Sequence, residues 1–515
     1  MTAGSANRPS TGRYPAAAAG GHPATVRAAA EVLRDGGNAW DAVLAGGFAA
    51  TIAEPGLSSL GGGGFLVSRS SAGEEVVVDF FAAAPGLVDP AVGATHQPQP
   101  ALVTSPVDFG GVVQDFGVGP ASVGVPGVLE GYLHIHRRWA SRPLARLVRP
   151  AVHLARTGVL LDRWQAQVLE LLAAILTTSA TGRSLYCAPG HRSPSQRSPG
   201  GGTGPGREGG DPPQMLRTGD SMYNEPLADF LEELAAGRRS GFTADELGGG
   251  ITAADLDGYE VIEREPLVHE AGGVHLAINP APSFGGRLIV GALESLDAGR
   301  APGADAVLRT DSDPDGVVRL AEVLAAMPEH RRSLGAGTSR GTTHLGVVDH
   351  DGNMVGLTTS NGSGSGVFAD GLGVHLNNMM GEADLHPRGF GTTPAGERIG
   401  SMMAPGLLRT GACTTVIGSG GSERIRSALT LAACRLAAGR QLDDVVTAPR
   451  MHFDGEVLQL EPGWPSAVLD ALERHWRVNE WGRRDLYFGG AHLVDDHGSA
   501  VGDSRRGGAA IVIPA

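Results

Sequence analysis

The sequence predicts an α+β protein built in four layers, in the order helix, sheet, sheet, helix. Three observations carry this prediction. Helical and strand patterns alternate along both halves of the 515-residue chain, so each half supplies several helices and several strands. Two pairs of strands, at 65–68 with 75–80 and on either side of Asp351-Gly352, are spaced as hairpins. Apolar faces of sheets and helices must cover one another, which favours a layered arrangement.

Composition argues against a nucleic-acid partner, a disulfide framework and a zinc site. The net charge is -14 and the pI is about 5.6, which argues against nucleic acid, because phosphate binding needs a basic face. The short basic runs at 330–332 and 505–506 are interpreted as solvated charges. With only three cysteines, neither a disulfide framework nor a zinc site is predicted.

The N-terminal segment, residues 1–24, is predicted to be disordered and shows no apolar signal core. No stretch approaches the ~20 apolar residues of a membrane span, so a cytoplasmic protein without a membrane partner is predicted. Residues 190–213 are rich in Gly, Pro and Ser and are predicted to be a surface loop.

The remaining elements follow from apolar periodicity. Residues 90–120 carry little pattern. Helices are predicted at about 25–35, 39–53, 127–138, 143–157, 162–178, 225–237, 251–256, 286–296, 316–327, 422–438, 442–447 and 465–475. Further strands are predicted at 259–268, 274–278, 374–376, 412–417, 456–460, 492–495 and 509–513.

The most informative stretch begins with the glycine-rich segment Ser333–Gly341, which leads directly into a strand that opens with Thr342-Thr343. A hydroxyl directly after a glycine, at the first residue of a strand, is typical of a self-cleaving hydrolase. Cleavage of the Gly341–Thr342 bond would give Thr342 a free amine beside its own hydroxyl. That amine, with an unperturbed pKa near ~8, can accept the hydroxyl proton during attack on an amide. Taken alone, the pair is better explained as a β-favouring start to a strand.

Other motifs also have two interpretations. The turn Gly418–Ser422 could present N–H groups to an oxyanion, or could be a helix cap provided by Ser419 or Ser422. The run Gly61–Gly64 lacks the Lys-Ser/Thr of a phosphate loop. His344, His350 and His375 are spaced irregularly, which favours hydrogen bonding over a metal site.

Together these pieces resemble the γ-glutamyltransferase (glutathione hydrolase) family of N-terminal nucleophile hydrolases, and the resemblance covers most of the chain. The segments that carry it are Gly36–Ala39 with Asp41-Ala42, Glu54-Pro55, Gly61–Phe65, Val125–Gly127, Thr252 with Asp255-Leu256, Pro280–Gly286, Thr342–His344 with Val347–Asp349, Gly352-Asn353, Leu376–Asn378, Ser401-Met402, Gly418–Ile425 and Ala448–Arg450.

The resemblance implies the αββα sandwich and a precursor that cleaves itself at Gly341–Thr342. The large-subunit segment would be 25–341 and the small-subunit segment 342–515, which together would form one unit. Thr342 would be the nucleophile, with Thr343 and Ser360 supporting its hydroxyl and amine. The N–H groups of Gly420 and Gly421 would form the oxyanion hole. The resemblance implies no cofactor and no metal.

The implied substrate is a small amide, including glutathione-like amides, and the implied binding residues are Asn361, Glu382, Ser401, Met402 and Ser422. This region departs from the family pattern. Phe81 stands where the family has an arginine that grips the glutamate α-carboxylate, and an aromatic ring cannot make that bidentate contact. One serine of a carboxylate-binding pair is replaced by Gly400, and Glu382 stands for a shorter aspartate.

Three functions therefore remain open from the sequence. The chain could cleave γ-glutamyl amides through an acyl-enzyme on Thr342, with transfer to water or an amine. It could instead be an acylase for an amide without a glutamyl head. The loss of two carboxylate contacts also allows a processed but catalytically silent protein that only binds a ligand.

Overall fold

The computed structural model describes residues 14–88, 102–108, 113–188, 214–271, 273–297, 311–333, 341–382, 385–386 and 389–515. The strands are β1 (Ala16–Gly20), β2 (Gly63–Arg69), β3 (Glu75–Phe80), β4 (Val103–Asp108), β5 (Val113–Val118), β6 (Val159–Leu160), β7 (Ser221–Met222), β8 (Ile262–Arg264), β9 (Leu267–Ala271), β10 (Val274–Ile278), β11 (Thr342–Val348), β12 (Met354–Ser360), β13 (Phe368–Ala369), β14 (Val374–His375), β15 (Gly406–Thr410), β16 (Cys413–Gly420), β17 (Met451–Phe453), β18 (Leu458–Leu460), β19 (Val478–Glu480), β20 (Gly490–Asp495), β21 (Ala500–Val501) and β22 (Ala509–Ile513).

The helices in the described residues are α1 (Pro23–Arg34), α2 (Ala39–Ala53), α3 (Val128–Trp139), α4 (Leu144–Thr157), α5 (Arg163–Leu171), α6 (Ala173–Leu176), α7 (Ala180–Tyr186), α8 (Glu225–Ala235), α9 (Ala244–Leu247), α10 (Ala253–Asp257), α11 (Phe284–Asp297), α12 (Pro314–Ser333), α13 (Arg424–Ala437), α14 (Leu442–Thr447) and α15 (Ser466–Glu473). Within the part of the chain that the structure describes, no helix is both long enough and apolar enough to cross a bilayer.

Two antiparallel sheets form the centre of the molecule. The first has seven strands in the order β22-β1-β11-β12-β2-β3-β8, and the second has six in the order β21-β20-β16-β15-β10-β9. Strand β11 contacts both β16 and β20 of the second sheet, so the two sheets lie face to face. The strand that begins at Thr342 is therefore covered on both faces.

Two buried apolar clusters hold the layers together. One lies between the first sheet and a helix layer that includes α1, α2, α3 and α4. The other fills the space between the sheets and continues to α11 and α13 on the far side of the second sheet. The four-layer αββα sandwich predicted from the sequence is confirmed.

Helix α2 shows how the sequence builds this packing. It begins with a capping box, in which the Asn38 side chain accepts a hydrogen bond from the Asp41 N–H and the Asp41 carboxylate accepts one from the Asn38 N–H. The helix is composed almost entirely of small and apolar residues because other elements cover it on nearly every side. At Gly46 an added Cβ would lie 2.4 Å from a Leu345 methyl carbon, so the close approach of α2 to β11 requires glycine.

The prediction that residues 1–24 are disordered is wrong for the part that the structure describes. Residues 16–20 form β1, which pairs with β11 on one side and β22 on the other, and α1 begins at Pro23. All five residues of β1 are buried because both faces of the strand are covered. A strand buried on both faces has no polar and apolar alternation, so its sequence resembles a low-complexity segment. Residues 1–13, and the loop predicted at 190–213, lie outside the described residues.

Two smaller departures concern the large-subunit segment. The stretch at 90–120, which carried little pattern, contains the hairpin of β4 and β5. The single helix predicted at 162–178 is divided at Leu172 into α5 and α6.

The position of β1 gives the first prediction. Replacing Ala17, which is fully buried between the sheets, with lysine should lower the free energy of unfolding by about 3–5 kcal/mol, because a charge would be buried without a partner. Val512, directly opposite Ala17 on β22, is 46% exposed. V512K should therefore change stability by no more than about 1 kcal/mol. Urea denaturation of both variants makes the comparison, and equal effects would contradict the burial of β1.

Candidate active site

Thr342 and Ser360 lie opposite each other at the paired ends of β11 and β12. Along β11, alternate side chains face opposite layers. Leu345 and Val347 join the cluster beneath α1 and α2, whereas His344 faces the second sheet, where an added Cβ at Gly418 would collide with its ring. By this alternation Thr342 faces the second sheet and Thr343 faces the helices.

Gly341 is held so closely that only glycine fits. An added Cβ would lie 1.8 Å from the Gly362 carbonyl oxygen and 2.6 Å from the Gly56 carbonyl oxygen. The Gly341 carbonyl oxygen accepts two hydrogen bonds, one from the Ser360 hydroxyl and one from the Asn361 N–H at 3.2 Å. The peptide group predicted to be cut is thus fixed by two donors aimed at its oxygen.

The Thr342 hydroxyl has no hydrogen-bond partner among the described residues, although the side chain is buried. Leaving a buried hydroxyl unpaired costs roughly 1–3 kcal/mol. The Thr342 backbone is covered by the second sheet, because an added Cβ at Gly420 would lie 2.1 Å from the Thr342 carbonyl oxygen. Gly420 therefore contacts the residue whose reaction it was predicted to assist.

The turn after Gly420 has an uncommon backbone. Gly421 has φ 123° and Ser422 has φ 58°, and helix α13 begins two residues later. The alternative interpretation of this segment as a serine helix cap is wrong. The N-cap residue is Glu423, whose side chain makes no capping bond, while the Ser419 hydroxyl donates to the Gly420 carbonyl. The Ser422 hydroxyl is buried without a partner among the described residues.

The Thr343 side chain lies on the face of the first sheet that packs against the helices. Its hydroxyl donates a hydrogen bond to the Glu54 carboxyl group, which also accepts one from the Thr25 hydroxyl at 2.7 Å. Burial raises the pKa of Glu54, although the hydroxyls of Thr343 and Thr25 oppose that shift. Glu54 was noted in the sequence only as part of a family segment, and nothing there indicated its contact with Thr343.

The predicted substrate-binding residues divide into two groups. Asn361 and Glu382 lie next to the predicted cleavage site, where the Ser363 N–H donates to both Glu382, at 3.2 Å, and Asn378, at 2.8 Å. Ser401 and Met402 lie against the start of α11. The Ser401 hydroxyl accepts a bond from the Met403 N–H, and the Ser401 carbonyl accepts one from the Ser283 hydroxyl.

Phe81, at the position of the family arginine, is fully buried. Its ring stacks on Phe65 with centroids 5.6 Å apart, within the cluster between the sheets. The Phe81 side chain is thus committed to apolar packing, and its ring offers no cation to a glutamate carboxylate.

A large open cavity lies directly beside Gly341. A pocket of about 1010 Å³ is bordered there by Gly341, Gly362, Ser363 and Glu54. Its other walls are mainly aromatic or aliphatic, with arginines at one side. These walls include Pro106, Val107, Trp164, Val168, Leu171, Leu172, Trp481, Tyr487, Arg424, Arg483 and Arg506.

The interpretation of 505–506 as solvated charge is wrong. Arg505 is buried and donates to both carboxylate oxygens of Glu461. Arg506 reaches the Thr342 carbonyl oxygen at 3.5 Å and the Leu486 carbonyl oxygen at 3.3 Å. Local sequence could not distinguish these residues from a surface pair, because Glu461, Thr342 and Leu486, which they contact, lie far away along the chain.

The three histidines make hydrogen bonds, as expected. Nδ1 of His344 contacts the Thr358 hydroxyl at 2.8 Å, and Nε2 of His375 accepts from the Gly366 N–H at 3.0 Å. His350 contacts the Tyr14 carbonyl. Burial lowers the pKa of both His344 and His375 to about 3, so neither carries a charge at neutral pH.

One group in the described residues has the donor set of a possible metal site. Cys413, Asp496 and His497 bring ligand atoms within 4.8 Å of one another. Cys413 begins β16, whereas Gly420 ends that strand, so this group is at the opposite end of β16 from the cleavage site.

Comparison with known proteins decides the family. The family model described as Gamma-glutamyltranspeptidase matches residues 25–198 and 325–513, which is more than half of the chain. The chain belongs to the gamma-glutamyltranspeptidase family. The family match includes the Gly341–Thr342 bond, both strands that hold it and the Gly420 turn.

Curated relatives of this chain include proteins named as acylases and proteins named as glutathione hydrolases. The Acylase ACY 1 proenzyme of Pseudomonas sp. (strain V22) is 30% identical over 498 residues, covering 88% of this chain and 85% of the relative. The Glutathione hydrolase proenzyme of Escherichia coli (strain K12) is 26% identical over 509 residues, covering 86% of this chain and 82% of the relative.

Solved structures support the fold. The crystal structure of cephalosporin acylase from Bacillus halodurans has a TM-score of 0.71 to this chain, covering 99% of this chain and 98% of the other, at 19% identity. Together, the family match and the sandwich indicate an N-terminal nucleophile amidohydrolase.

The contact of Glu54 with Thr343 predicts a pH effect on stability. An unfolded Glu54 loses its proton near its ordinary pKa of 4.5, whereas the folded carboxyl group holds its proton to higher pH. The stability of the wild-type protein relative to E54Q should therefore be greatest below pH 4.5 and fall as pH rises through the folded pKa. Urea unfolding of both proteins between pH 4 and 8 measures the difference. A difference that stays constant or increases with pH would contradict this assignment.

Proposed function

We propose that the chain is a self-processing amidohydrolase whose nucleophile is the N-terminal threonine released at Thr342. One observation carries the proposal. The Gly341 carbonyl oxygen accepts bonds from the Ser360 hydroxyl and the Asn361 N–H, while the hydroxyl of the next residue, Thr342, is buried and uncommitted. This is the arrangement needed for that hydroxyl to attack the carbonyl before it.

The proposed cleavage is a shift of the Gly341 acyl group to the Thr342 oxygen, followed by hydrolysis of the ester that results. The Thr342 oxygen adds to the Gly341 carbonyl carbon, and negative charge develops on the oxygen held by Ser360 and Asn361. The C–N bond then breaks, which leaves Gly341 as an ester on the Thr342 oxygen, and the proton lost by the Thr342 hydroxyl passes to the Thr342 nitrogen, which becomes a free amine. Water hydrolyses the ester, giving a Gly341 carboxylate and a free N-terminal threonine.

In the mature enzyme the Thr342 amine takes the proton from the Thr342 hydroxyl as the oxygen attacks the substrate amide. The leaving amine departs with a proton, and the acyl group remains on Thr342 until water or another amine accepts it. The N–H groups of Gly420 and Gly421 are proposed to stabilise the oxyanion in this reaction, because Gly420 already contacts the Thr342 backbone.

Cleavage gives a direct prediction. Purified wild-type protein should separate on a denaturing gel into two fragments, the smaller beginning at Thr342 by N-terminal sequencing. T342A should stay as one chain of 52.8 kDa, and T342S should still cleave, because serine keeps the hydroxyl. A wild-type chain that remains intact for days would count against the proposal.

The Ser360 bond can be tested in the same assay. S360A should slow cleavage by about 10²-fold, the usual loss when one oxyanion donor is removed. T359V is the matched control, because Thr359 is the next residue on β12 and its hydroxyl contacts Ser58 at 3.1 Å rather than Gly341.

The proposal extends to the acyl group of the substrate amide, for which there are two candidate classes. γ-Glutamyl amides are one candidate class, by family. An acylase that acts on amides without a glutamyl head is the second, and the burial of Phe81 against Phe65 favours it. The name of the Pseudomonas relative, an acylase proenzyme, supports the same class.

A chromogenic assay separates these possibilities. Mature enzyme should release 4-nitroaniline at least about tenfold faster from simple acyl anilides than from the γ-glutamyl anilide, since Phe81 cannot pair with the α-carboxylate. Faster release from the γ-glutamyl anilide would instead identify γ-glutamyl amides as the preferred substrates. Complete processing with no release from any anilide would favour a silent ligand-binding protein.

A further inference from the structure

All 41 strongly basic residues of the chain are arginines, and the chain contains no lysine. A buried arginine keeps its charge at neutral pH, whereas a buried lysine readily loses its proton. Cleavage at Gly341–Thr342 would add one further basic group to the site, the α-amine of Thr342. The arginines beside that amine therefore set the electrostatic potential at which it takes up a proton.

Arg506 extends from the turn before β22 to the first residue of β11. Its Nη1 donates to the Thr342 carbonyl oxygen at 3.5 Å, and its Nη2 donates to the Leu486 carbonyl oxygen at 3.3 Å. A Cβ added at Gly420 would lie 3.2 Å from Nη1, and one added at Gly421 would lie 3.3 Å from Nη2. The guanidinium therefore lies against both the backbone of the proposed nucleophile and the glycine turn.

The positive charge of Arg506 lacks a counter-ion. Its Nε is buried without a hydrogen-bond partner among the described residues, and within those residues its guanidinium forms no ion pair. Burial and the neighbouring Arg424 lower the pKa of Arg506 to about 10, so the side chain is cationic at neutral pH. Arg424 is a second cation at the site. It is buried, and its Nε donates to the Tyr487 carbonyl oxygen at 2.8 Å.

The carboxylates on the second-sheet side are paired with other arginines. Asp503 pairs with both Arg450 and Arg505. Asp485 pairs with the exposed Arg483 at 3.1 Å. Because each of these carboxylates already lies beside a cation, its effect on the amine is reduced.

Three carboxyl groups act from the other sides of the site. Glu54 accepts hydrogen bonds from two threonine hydroxyls, and burial raises its pKa, which favours its uncharged form. Asp162 caps α5 with its carboxylate, and Glu382 accepts a backbone N–H at 3.2 Å. Asp162 and Glu382 therefore act against the arginines from this side, and both are already engaged by N–H donors.

The buried histidines of this region are neutral. His344 lies two residues after Thr342 on the same face of β11, and His492 lies on β20. Burial lowers the pKa of His344 to about 3 and that of His492 to about 4. Among the described residues, the positive charge at the start of β11 therefore comes from Arg506 and Arg424.

The amine that cleavage would release lies close to the Arg506 charge. Standard bond lengths place the nitrogen and the carbonyl oxygen of one residue roughly 3–4 Å apart, so the Thr342 amine lies within roughly 7 Å of Nη1. At that separation, with an effective dielectric constant of ~20, repulsion between the guanidinium and an ammonium corresponds to roughly one to two pH units. The charge thus disfavours the protonated amine and leaves the free amine unaffected.

We propose that Arg506, together with Arg424, keeps the α-amine of mature Thr342 unprotonated at neutral pH, ready to take the proton of the Thr342 hydroxyl. This inference rests on the proposed function, since the amine exists only after cleavage. The amine gains the proton that the hydroxyl loses and passes it to the leaving amine. Arg506 is a positioning residue in this reaction, because it acts through the amine.

The absence of lysine allows the Thr342 amine to be titrated directly. Reductive methylation of the processed protein with ¹³C-formaldehyde labels two amines, at Thr342 and at the start of the large fragment, and separation of the fragments in urea assigns the two signals. The Thr342 signal should titrate about one to two pH units lower in the folded protein than in urea. Equal midpoints would overturn the inference and leave the proposed function intact.

Variants assign the shift to the arginines. R506M should raise the folded midpoint by at least about one pH unit, and R424M should raise it by a smaller amount. R409M is the matched control, because Arg409 is exposed on β15 at the end of the second sheet away from Gly420. R409M should keep the wild-type midpoint. An R506M midpoint equal to that of the wild type would contradict the role of Arg506.

The pH dependence of turnover is the second readout. With the anilide that reacts fastest in the chromogenic assay, the loss of kcat/KM in R506M should be about tenfold greater at pH 6 than at pH 9, because the free amine becomes limiting only at low pH. R506K should keep part of the wild-type profile, because lysine keeps the charge. A loss that is equal at every pH would indicate a merely structural role and overturn the proposal.

Failure of the two proposals can be distinguished. A wild-type chain that stays intact has no Thr342 amine and overturns both. A processed chain that cleaves anilides with an unshifted amine overturns only the present inference. If R506M is not processed, because Arg506 contacts the Thr342 carbonyl, the wild-type and R424M titrations complete the test, and an R424M midpoint that does not rise would overturn the inference.

Discussion

The active-site region depends on a close approach of backbone to backbone around Gly341. No side chain larger than hydrogen fits at this position, because the carbonyl groups of Gly362 and Gly56 already occupy the space a Cβ would take. The same restriction recurs at Gly62, where an added Cβ would lie 2.3 Å from the Ser360 carbonyl oxygen, and at Gly420. These contacts bring the Ser360 hydroxyl, the Asn361 N–H and the Gly341 carbonyl together without any flexible side chain between them.

Much of the fold could be predicted from the sequence, and the failures have a common cause. Helix α2 and strands β3, β10 and β22 lie within the predicted ranges, because composition and periodicity report burial on a single element. Strand β1 was missed because both of its faces are covered, so its alanines carry no alternation. Periodicity indicates which face is buried, but it fails when every face is buried.

The candidate site shows the same limit in another form. Thr342, Ser360 and the Gly420 turn could be proposed because each has a local signature or a family segment. Glu54 and Arg424 lie in family segments but were assigned no role, and Arg506 lies in none, because the residues that each of the three contacts are distant in the chain. The adjacent residues Arg505 and Arg506 show this most clearly. Arg505 forms ion pairs with Glu461 and Asp503, whereas Arg506 has no carboxylate partner among the described residues.

The ion pairs of Arg505 and Arg450 fix the backbone around Arg506. Arg505 donates to the Val446 and Ala448 carbonyl oxygens as well as to Glu461, and Arg450 pairs with Asp503. Although burial alone would raise it, these two guanidiniums bring the pKa of Asp503 down to about 2, so the carboxylate stays charged. This network fixes the segment before β22, in which Arg506 lies.

The strand order of the first sheet has a consequence for the two fragments that cleavage at Gly341–Thr342 would produce. Strand β1, from the first fragment, lies between β22 and β11, which both belong to the second, while β12 of the second pairs with β2 of the first. The fragments would therefore be woven through one sheet and could not separate without unravelling it. Dissociation of the fragments would require unfolding of the sheet, so the cut would change the chemistry at Thr342 and would make unfolding, but not the folded state, depend on protein concentration.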